Sequence, residues 1–418
     1  MKIPKTLRAG AVILLILSLL LSGCEILSEL PWNQSSASPD SARYGYGNEY
    51  GCAFIRWDGT VTSAGFEDGI TSEMDTWSGV KQLALTYDGC SVYGLLENGT
   101  VAISGNPWYK YEEKISEWTN IEELLPLGHA SFSLDSLIVP GALTKDGEFI
   151  VPYTPKKETP ALSWKNIRQI DTDVQRYAVT TDGKVLCDNP NPGEVKDLAY
   201  METLSGVKKI TGDINTGYFV LMEDGTIEYP YDFSAFPKGD RRKELTEFKE
   251  SIENWTNIED IYSYFPETLI GIGKDHTVKI ESVSSFWDEN FVFTSENWTD
   301  IRQLVHNDIP NFRGFFGIKG DGSVVYAYLK SETGLDLGIM LKPLDDWENI
   351  IALDYSENHV VGLKNDGTAV ATGLNDVGQC DVTEWHDIIS IVAGPTYTAG
   401  LQSDGTIVIA GQFEDIEE

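Results

Sequence analysis

The 418-residue chain has few of the residues that most often carry chemistry. It contains five histidines, five cysteines and five methionines. No two cysteines have Cys-x-x-Cys spacing, which argues against a zinc or redox site. The sequence contains no His-Glu-x-x-His motif, no Gly-x-Ser-x-Gly nucleophile motif and no phosphate-binding loop. We therefore predict no catalytic residues, no metal and no cofactor.

Positive charge is also scarce. The chain has 31 basic and 65 acidic residues. Residues 1–23 hold three basic residues and no acidic ones, so the chain without them has 28 basic against 65 acidic residues, a net charge of −37. Nucleic acid and anionic lipid repel a protein of this charge. Nucleic acid is therefore excluded as a predicted partner.

No apolar run reaches the length of a membrane-spanning helix. The longest, Ala9 to Leu21, has 13 residues, whereas a span needs roughly 20. Three basic residues precede it, as in a signal peptide. The run ends in Leu21-Ser22-Gly23-Cys24. This tetrapeptide resembles the bacterial lipobox; the alternative is an ordinary secretory signal that happens to contain a cysteine.

The lipobox resemblance implies a lipid on Cys24 and removal of residues 1–23. Residues 24–44 are polar, small and rich in proline, which is typical of a flexible tether. We therefore predict a lipid-anchored protein that faces outside the cytoplasm, at the cell surface or in the periplasm. The remaining cysteines are Cys52, Cys90, Cys187 and Cys380. A bridge between the first two and buried free thiols are both open.

A short turn recurs nine times between Asp58 and Gly405, at intervals of 36 to 51 residues. An Asp or Asn followed by Gly tolerates the positive φ values of a tight hairpin, and the flanks are strand-like. In one copy His276 takes the place of the glycine. The turn glycines are Gly59, Gly99, Gly147, Gly183, Gly225, Gly322, Gly367 and Gly405.

A tryptophan element precedes every turn after the first. It has the pattern Trp-x-Asn/Asp/Gly-Ile/Val, with Leu204 replacing the tryptophan once. We predict that these rings anchor the core between neighbouring sheets and do not bind a ligand. The tryptophans are Trp77, Trp118, Trp164, Trp255, Trp298, Trp347 and Trp385.

These repeats predict an all-β fold over residues 45–418. A unit of about 42 residues has room for roughly four strands. Such sheets form a β-propeller when stacked radially and a solenoid when stacked linearly. We predict a β-propeller of about nine repeat units, with seven to nine blades. Phe413-Glu414-Asp415-Ile416 resembles a weak further tryptophan element, which would complete the first sheet and close the ring.

The best-formed unit resembles the regulator of chromosome condensation repeat family. The similarity rests on His359 to Thr368, followed by Gly373, Asn375 and Gly378-Gln379. The family fold is a β-propeller, usually with seven blades, and nine hairpins depart from that number. Family members mostly work through interactions: nucleotide exchange on a small GTPase, chromatin binding and, in a secreted bacterial member, inhibition of β-lactamases. No motif here transfers any of these, so the resemblance implies a rigid scaffold that displays loops.

The longest insertion offers a candidate binding loop. It lies between Asp224 and Trp255 and places aromatic residues beside basic ones, a combination suited to binding a partner. Residues 243–252 are predicted to form a short helix. An ordinary solvated loop is the alternative. The candidate residues are Tyr231, Phe233, Phe236, Lys238, Arg241 and Arg242.

Three functions follow from these features. The first is a monomeric, non-enzymatic scaffold that binds a protein or glycan at the cell surface. The second is a glycan-active hydrolase or lyase, because a catalytic carboxylate pair is recognised by three-dimensional spacing and not by sequence. The third is a structural envelope lipoprotein.

Overall fold

The structure is a computed structural model. It describes residues 45–48, 50–66, 68–85, 91–105, 112–125, 141–151, 164–170, 177–187, 200–213, 217–230, 239–264, 268–283, 291–293, 298–306, 314–329 and 340–413. Across these ranges, no helix is both long and apolar enough to cross a bilayer. The lipidation residue Cys24, the tether and Cys90 lie outside them.

The described residues form nine antiparallel sheets, numbered here in chain order. Sheet 1 contains β1 (Gly45–Gly47), β2 (Cys52–Ile55) and β3 (Val61–Ala64). Sheet 2 contains β4 (Val80–Leu85), β5 (Ser91–Leu96) and β6 (Val101–Gly105). Sheet 3 contains β7 (Ile121–Leu125), β8 (Gly141–Thr144) and β9 (Phe149–Ile150). Sheet 4 contains β10 (Ile167–Ile170), β11 (Tyr177–Thr180) and β12 (Val185–Cys187). Sheet 5 contains β13 (Val207–Asp213), β14 (Gly217–Met222) and β15 (Ile227–Glu228). Sheet 6 contains β16 (Ile258–Tyr264), β17 (Thr268–Gly273) and β18 (Val278–Ser282). Sheet 7 contains β19 (Phe291–Phe293), β20 (Ile301–His306), β21 (Gly314–Lys319) and β22 (Val324–Leu329). Sheet 8 contains β23 (Ile350–Tyr355), β24 (His359–Lys364) and β25 (Ala369–Gly373). Sheet 9 contains β26 (Ile388–Ala393), β27 (Tyr397–Gln402) and β28 (Ile407–Gly411).

Eight of these sheets have three strands, fewer than the roughly four predicted per unit. Several segments that follow a third strand form helices whose apolar side chains fill the gap between neighbouring sheets. Ile70 and Met74, for example, are buried between sheets 1 and 2. The predicted helix over 243–252 lies within the longest of them. The helices are α1 (Asp68–Met74), α2 (Glu112–Ser116), α3 (Asp240–Glu253) and a 3₁₀ helix (Lys342–Asp346).

The same backbone hydrogen bond joins each of the first eight sheets to the next. The carbonyl of the turn glycine accepts from the N–H that begins the next first strand, as between Gly59 and Val80 at 2.9 Å. We call each contact between consecutive sheets an internal junction. The other seven pairs are Gly99–Ile121, Gly147–Ile167, Gly183–Val207, Gly225–Ile258, His276–Ile301, Gly322–Ile350 and Gly367–Ile388.

The third residue of each tryptophan element completes this link. Its φ lies between 56° and 73°, a conformation that suits the Gly, Asn and Asp found there. Its carbonyl accepts a bond from the hairpin of its own sheet, as Asn120 does from Lys145 at 2.8 Å. Each tryptophan element is therefore bonded to two consecutive hairpins.

Sheet 9 packs against sheet 1, so the described sheets form a closed ring. Cys52 and Phe54 share one buried cluster with Val392, Tyr397 and Leu401. We call this contact the closing junction. The predicted all-β propeller fold is confirmed, and nine sheets form its ring.

Side chains make the polar links at the closing junction. The Tyr397 hydroxyl lies 2.9 Å from the carbonyl oxygens of both Asn48 and Gly51, to which it donates. Arg56 donates from Nη2 to the carbonyl of Gly405 at 3.4 Å. This guanidinium stands where an internal junction has a strand N–H.

The first sheet takes its three strands from residues 45–64, not from the C-terminal segment. Phe413 instead packs its ring on Tyr397, with 4.4 Å between ring centroids. Residues 414–416 lie outside the described residues. The Cys52 thiol is free and buried in the same cluster, and burial raises its pKa to about 12.

Each tryptophan ring contacts the middle strand of its own sheet. A Cβ added to Gly94 would lie 2.7 Å from Cζ3 of Trp77, so only glycine fits beneath the ring. The same contact occurs between Gly271 and Trp255, Gly317 and Trp298, Gly362 and Trp347, and Gly400 and Trp385. In sheets 3 and 4 alanine takes the glycine position, beside Trp118 and Trp164.

Two sheets lack the tryptophan, and both have a larger residue on the middle strand. Sheet 5 pairs Leu204 with Val220 in one cluster. Sheet 1 places Phe54 at this position, where it is fully buried. The ring that the other sheets receive from the tryptophan element comes here from the strand itself. A larger residue on the middle strand therefore occupies this layer where the tryptophan is absent.

Candidate interaction face

The hairpins of all nine sheets lie at one end of the ring. Each internal hairpin bonds the start of the next first strand, which fixes both at the same end. We call this end the hairpin face. The third strands run away from the hairpins, and Leu374, directly after β25, donates to the carbonyl of Asn358 at 2.8 Å on the opposite face.

The turn aspartates are bonded within their own hairpins. Asp58 accepts through Oδ1 from the backbone N–H of Thr60 at 2.9 Å and from its hydroxyl at 2.6 Å. These bonds lower the pKa of the Asp58 carboxyl, which stays ionised near neutral pH. The turn glycines have φ between 72° and 90°. The same carboxylate or amide bond recurs at Asn98, Asp224, Asp275, Asp321, Asp366 and Asp404.

A ring of side chains surrounds the axis on the hairpin face. It consists of the second residue of each first strand in sheets 2 to 9, where the strand pairing shifts by one residue. We call these the rim positions. They hold Lys81, Glu122, Arg168, Lys208, Glu259, Arg302, Ile351 and Ile389.

Several charged rim residues form ion pairs between sheets. Lys208 Nζ lies 2.6 Å from Glu259 Oε1, and Lys81 Nζ lies 3.9 Å from Glu122 Oε2. Arg168 lies 2.9 Å from the carboxylate of Glu223, which belongs to the next hairpin. A paired, solvated charge is a weak anchor for a partner.

The rim is apolar in sheets 8 and 9. Ile351 is 53% exposed and Ile389 is partly buried. In the hairpin of sheet 1, Trp57 is 77% exposed, the largest fraction among the exposed large apolar residues of the described chain. These three residues belong to consecutive sheets around the closing junction, and we call them the seam patch.

The binding loop predicted from the sequence is described only in part. Tyr231, Phe233, Phe236 and Lys238 lie outside the described residues. Arg241 and Arg242 begin α3, where Arg241 pairs with Glu244 at 3.5 Å. Lys243 pairs with Glu247 at 3.4 Å in the same helix. Glutamates one turn away therefore offset part of the basic charge.

The opposite side of α3 belongs to the core. Leu245, Phe248 and Ile252 are buried with Trp255 between sheets 5 and 6. The helix is therefore a wedge that fixes the spacing of two sheets, and its basic N-terminal residues face away from that core.

The first strands carry polar groups that bond around the ring. Gln82 exchanges two hydrogen bonds of 2.9 Å with the backbone of Leu124 in the next sheet. Lys209 lies 2.7 Å from Asp260, which also accepts from the Tyr262 hydroxyl at 2.8 Å. These contacts tie neighbouring sheets together, so the Asp260 carboxylate is part of the scaffold.

Two titratable groups hold sheets 8 and 9 together, the partly buried Asp354 and the fully buried His359. Asp354 accepts from the N–H of Ala393 at 2.8 Å, and burial raises its pKa to about 6. His359 contacts the hydroxyls of Ser356 and Thr398 at 2.9 and 2.7 Å, and burial lowers its pKa to about 4. Within the described ranges, no three His, Cys, Asp or Glu side chains are grouped so that they would hold a metal ion.

Sequence reasoning missed the rim positions, although a signal was present. The residue after the tryptophan element is charged in sheets 2, 3, 4, 5, 6 and 7 but is isoleucine in sheets 8 and 9. Aligning the eight elements by position shows this change. That these positions lie on the two sheets that precede sheet 1 in the ring becomes visible only once the ring is known to close.

Comparison with known proteins gives structural likenesses only. No protein-family model matches the chain, and no curated protein matches it. Solved structures similar to it include the CRINKLY WD40 ectodomain of the Arabidopsis thaliana receptor kinase ACR4, with 13% identity, 91% of this chain and 96% of that chain covered, and a TM-score of 0.35. The computationally designed protein Ika8 shows 14% identity, 91% and 98% coverage, and a TM-score of 0.37.

Prp20p from Saccharomyces cerevisiae is a more distant likeness. It shows 11% identity, covers 81% of this chain and 72% of that chain, and has a TM-score of 0.26. The strand pairing and inter-sheet contacts of this chain, rather than these likenesses, establish its fold.

Proposed function

We propose that the protein is a monomeric, lipid-anchored scaffold outside the cytoplasm that binds a protein or glycan and performs no chemistry of its own. The observation that carries the proposal is an exposed tryptophan and isoleucine on one face of a closed, rigid ring. Exposed aromatic residues on a fixed framework are typical anchors of binding surfaces. The Cys24 motif supports the anchor, which would concentrate the scaffold in the plane of a membrane.

Anchoring is tested by feeding cells a clickable fatty acid. We expect label on the full-length protein and none on Cys24→Ser, which should appear in the soluble fraction. Label on Cys24→Ser would contradict the proposed lipid site.

Binding is tested by crosslinking intact cells that express the full chain. We expect discrete adducts that added mature protein, carrying Cys24→Ser, removes by competition. Absence of any adduct that such competition removes would contradict the scaffold function. Hydrolysis of isolated envelope glycans by the purified mature protein would favour the enzymatic alternative.

A further inference from the structure

We infer that the seam patch is the docking surface for a basic protein segment that inserts an apolar anchor residue beside Trp57. The inference deepens the proposed scaffold function and rests on it. It assigns the binding to the closing junction on the hairpin face, which is distinct from the insertion loop before α3.

The repeat gives Ile389 and Trp57 the positions of two residues that form an ion pair at an internal junction. Arg168, at the rim position of sheet 4, reaches Glu223 in the hairpin of sheet 5. Ile389 has the rim position in sheet 9, and Trp57 has the place of Glu223 in the hairpin of sheet 1. Ile389 also packs against the cluster of the closing junction, which contains Phe54. Ile389 and Trp57 therefore bring apolar side chains to the two repeat positions that carry an ion pair at that internal junction.

Ile351 and Ile389 likewise have the positions of two rim residues that form an ion pair elsewhere in the ring. Rim residues of consecutive sheets meet as Lys208 and Glu259 do at 2.6 Å. Ile351 and Ile389 have consecutive rim positions in sheets 8 and 9. The seam patch therefore takes one apolar residue from each of three consecutive sheets on the same face.

The patch is local and not a general property of this face. In sheets 2 to 7 every rim residue is charged, and three pairings of these residues are ionic. The face thus changes from charge to apolar surface at the closing junction. A fixed apolar area bordered by polar groups has the composition of an interface core.

The border of the patch identifies the charge of its partner. Asp387 neighbours Ile389 in the chain and is 70% exposed at its side chain. Asp58 directly follows Trp57, and Asp404 lies in the hairpin that Arg56 contacts. Glu348 lies in the tryptophan element just before Ile351. The hairpins of sheets 1 and 8 also carry Arg56 and Lys364, but the Arg56 guanidinium bonds the Gly405 carbonyl and the four carboxylates outnumber the two basic groups. This border complements lysine and arginine around an apolar anchor, whereas an anionic membrane or a polyanion is repelled.

The test is selection of random twelve-residue peptides displayed on phage against the mature protein carrying Cys24→Ser. We expect selected peptides to combine an aromatic or aliphatic residue with flanking Lys or Arg. Their affinity should fall at least tenfold for Trp57→Ala and for Ile351→Ser, and should weaken as salt increases. Because both residues are exposed, both variants should keep the wild-type melting temperature.

Val377→Ala is the matched control. Val377 is 37% exposed and lies three residues beyond Leu374, on the opposite face, so its replacement should leave peptide affinity unchanged. Selected peptides that are acidic, or that bind Trp57→Ala as well as wild type, would overturn the inference. So would Trp57-dependent sedimentation with phosphatidylethanolamine–phosphatidylglycerol vesicles. The crosslinks in cells that added mature protein removes by competition are the last readout. If they persist in Trp57→Ala, they would contradict this docking site but not the scaffold function.

Discussion

The internal junctions and the closing junction join neighbouring sheets through different kinds of hydrogen bond. Each internal junction uses a backbone link, in which the turn carbonyl accepts from the first N–H of the next first strand. The closing junction uses the Arg56 guanidinium and the Tyr397 hydroxyl instead. Backbone links tolerate many sequences, whereas the closing link depends on two particular side chains. The polar link between neighbouring sheets therefore depends on particular side chains at the closing junction and on the backbone at the internal junctions.

The two kinds of junction also differ in the residues that fill the layer beneath the tryptophans. At five internal junctions a tryptophan ring occupies the space above a glycine, and at the closing junction Phe54 fills it from the strand. Sheet 5 shows an intermediate arrangement, with Leu204 and Val220. The two positions behave as one packing unit, so each should tolerate change only when the other compensates.

The largest expected effect tests that unit at an internal junction. Gly362→Val places a side chain where an added Cβ would lie 2.8 Å from Trp347, and should lower the free energy of unfolding by about 3 kcal/mol. Adding Trp347→Leu reproduces the pair found in sheet 5. The double variant should lose less than the sum of the two single variants in denaturant unfolding. Simple additivity would show that the two positions are not coupled.

The second effect concerns pH and the internal junction between sheets 8 and 9. Burial lowers the pKa of His359 to about 4 from its ordinary 6.5, so the unfolded chain binds more protons between these values. Stability should therefore fall by about 2.5 kcal/mol from pH 7.5 to pH 4.5 through this residue. Asp354, whose pKa is raised, opposes this trend equally in both proteins compared.

His359→Gln isolates the contribution of the histidine. The amide keeps hydrogen-bonding capacity toward Ser356 and Thr398 but does not titrate. Its free energy of unfolding should decline less on acidification than that of wild type. Parallel pH profiles for the two proteins would contradict the assignment.

The third effect addresses the closing junction. Tyr397→Phe removes the hydroxyl that lies 2.9 Å from the carbonyl oxygens of Asn48 and Gly51 and should cost about 2 kcal/mol. Tyr355→Phe is the matched control, since its hydroxyl makes a longer bond of 3.4 Å to Gly314 at an internal junction. Equal losses in thermal and denaturant unfolding would show that the hydroxyl of Tyr397 has no special role.

The smallest effect compares one repeat position at two junctions. Arg56→Leu removes the side chain that bonds Gly405 and should cost about 1 kcal/mol, with faster amide exchange confined to sheets 9 and 1. Lys364→Leu changes the same position in sheet 8, where the backbone supplies the link. Its free energy of unfolding should stay within about 0.5 kcal/mol of wild type. Matching exchange rates in the two variants would argue against a side-chain link at closure.

Much of the fold is predictable from sequence because its signals are local. Turn pairs such as Asp366-Gly367 set the hairpins, and the tryptophan elements repeat beside them. Among the described residues, eight of the nine sheets have three strands rather than the four predicted, and residues such as Ile70 and Met74 form a wedge helix after the third strand.

The closing junction and the seam patch depend on contacts between residues far apart in the sequence. Nothing in the local sequence of Arg56 or Tyr397 indicates that they meet the other end of the chain. Ile351, Ile389 and Trp57 form a patch only because sheets 8, 9 and 1 are consecutive in the ring. The candidate loop before α3 was visible as an insertion, but the pairing of Arg241 with Glu244 required the helix geometry.

Site-specific photo-crosslinking in intact cells is the most direct test of whether a partner docks at the closing junction. A photoreactive phenylalanine analogue is placed at Trp57 and, as the control, at Val377 on the opposite face. We expect an adduct with a protein of basic contact surface from position 57 and none from position 377. Adducts from position 377 alone, or only lipid adducts from position 57, would contradict it.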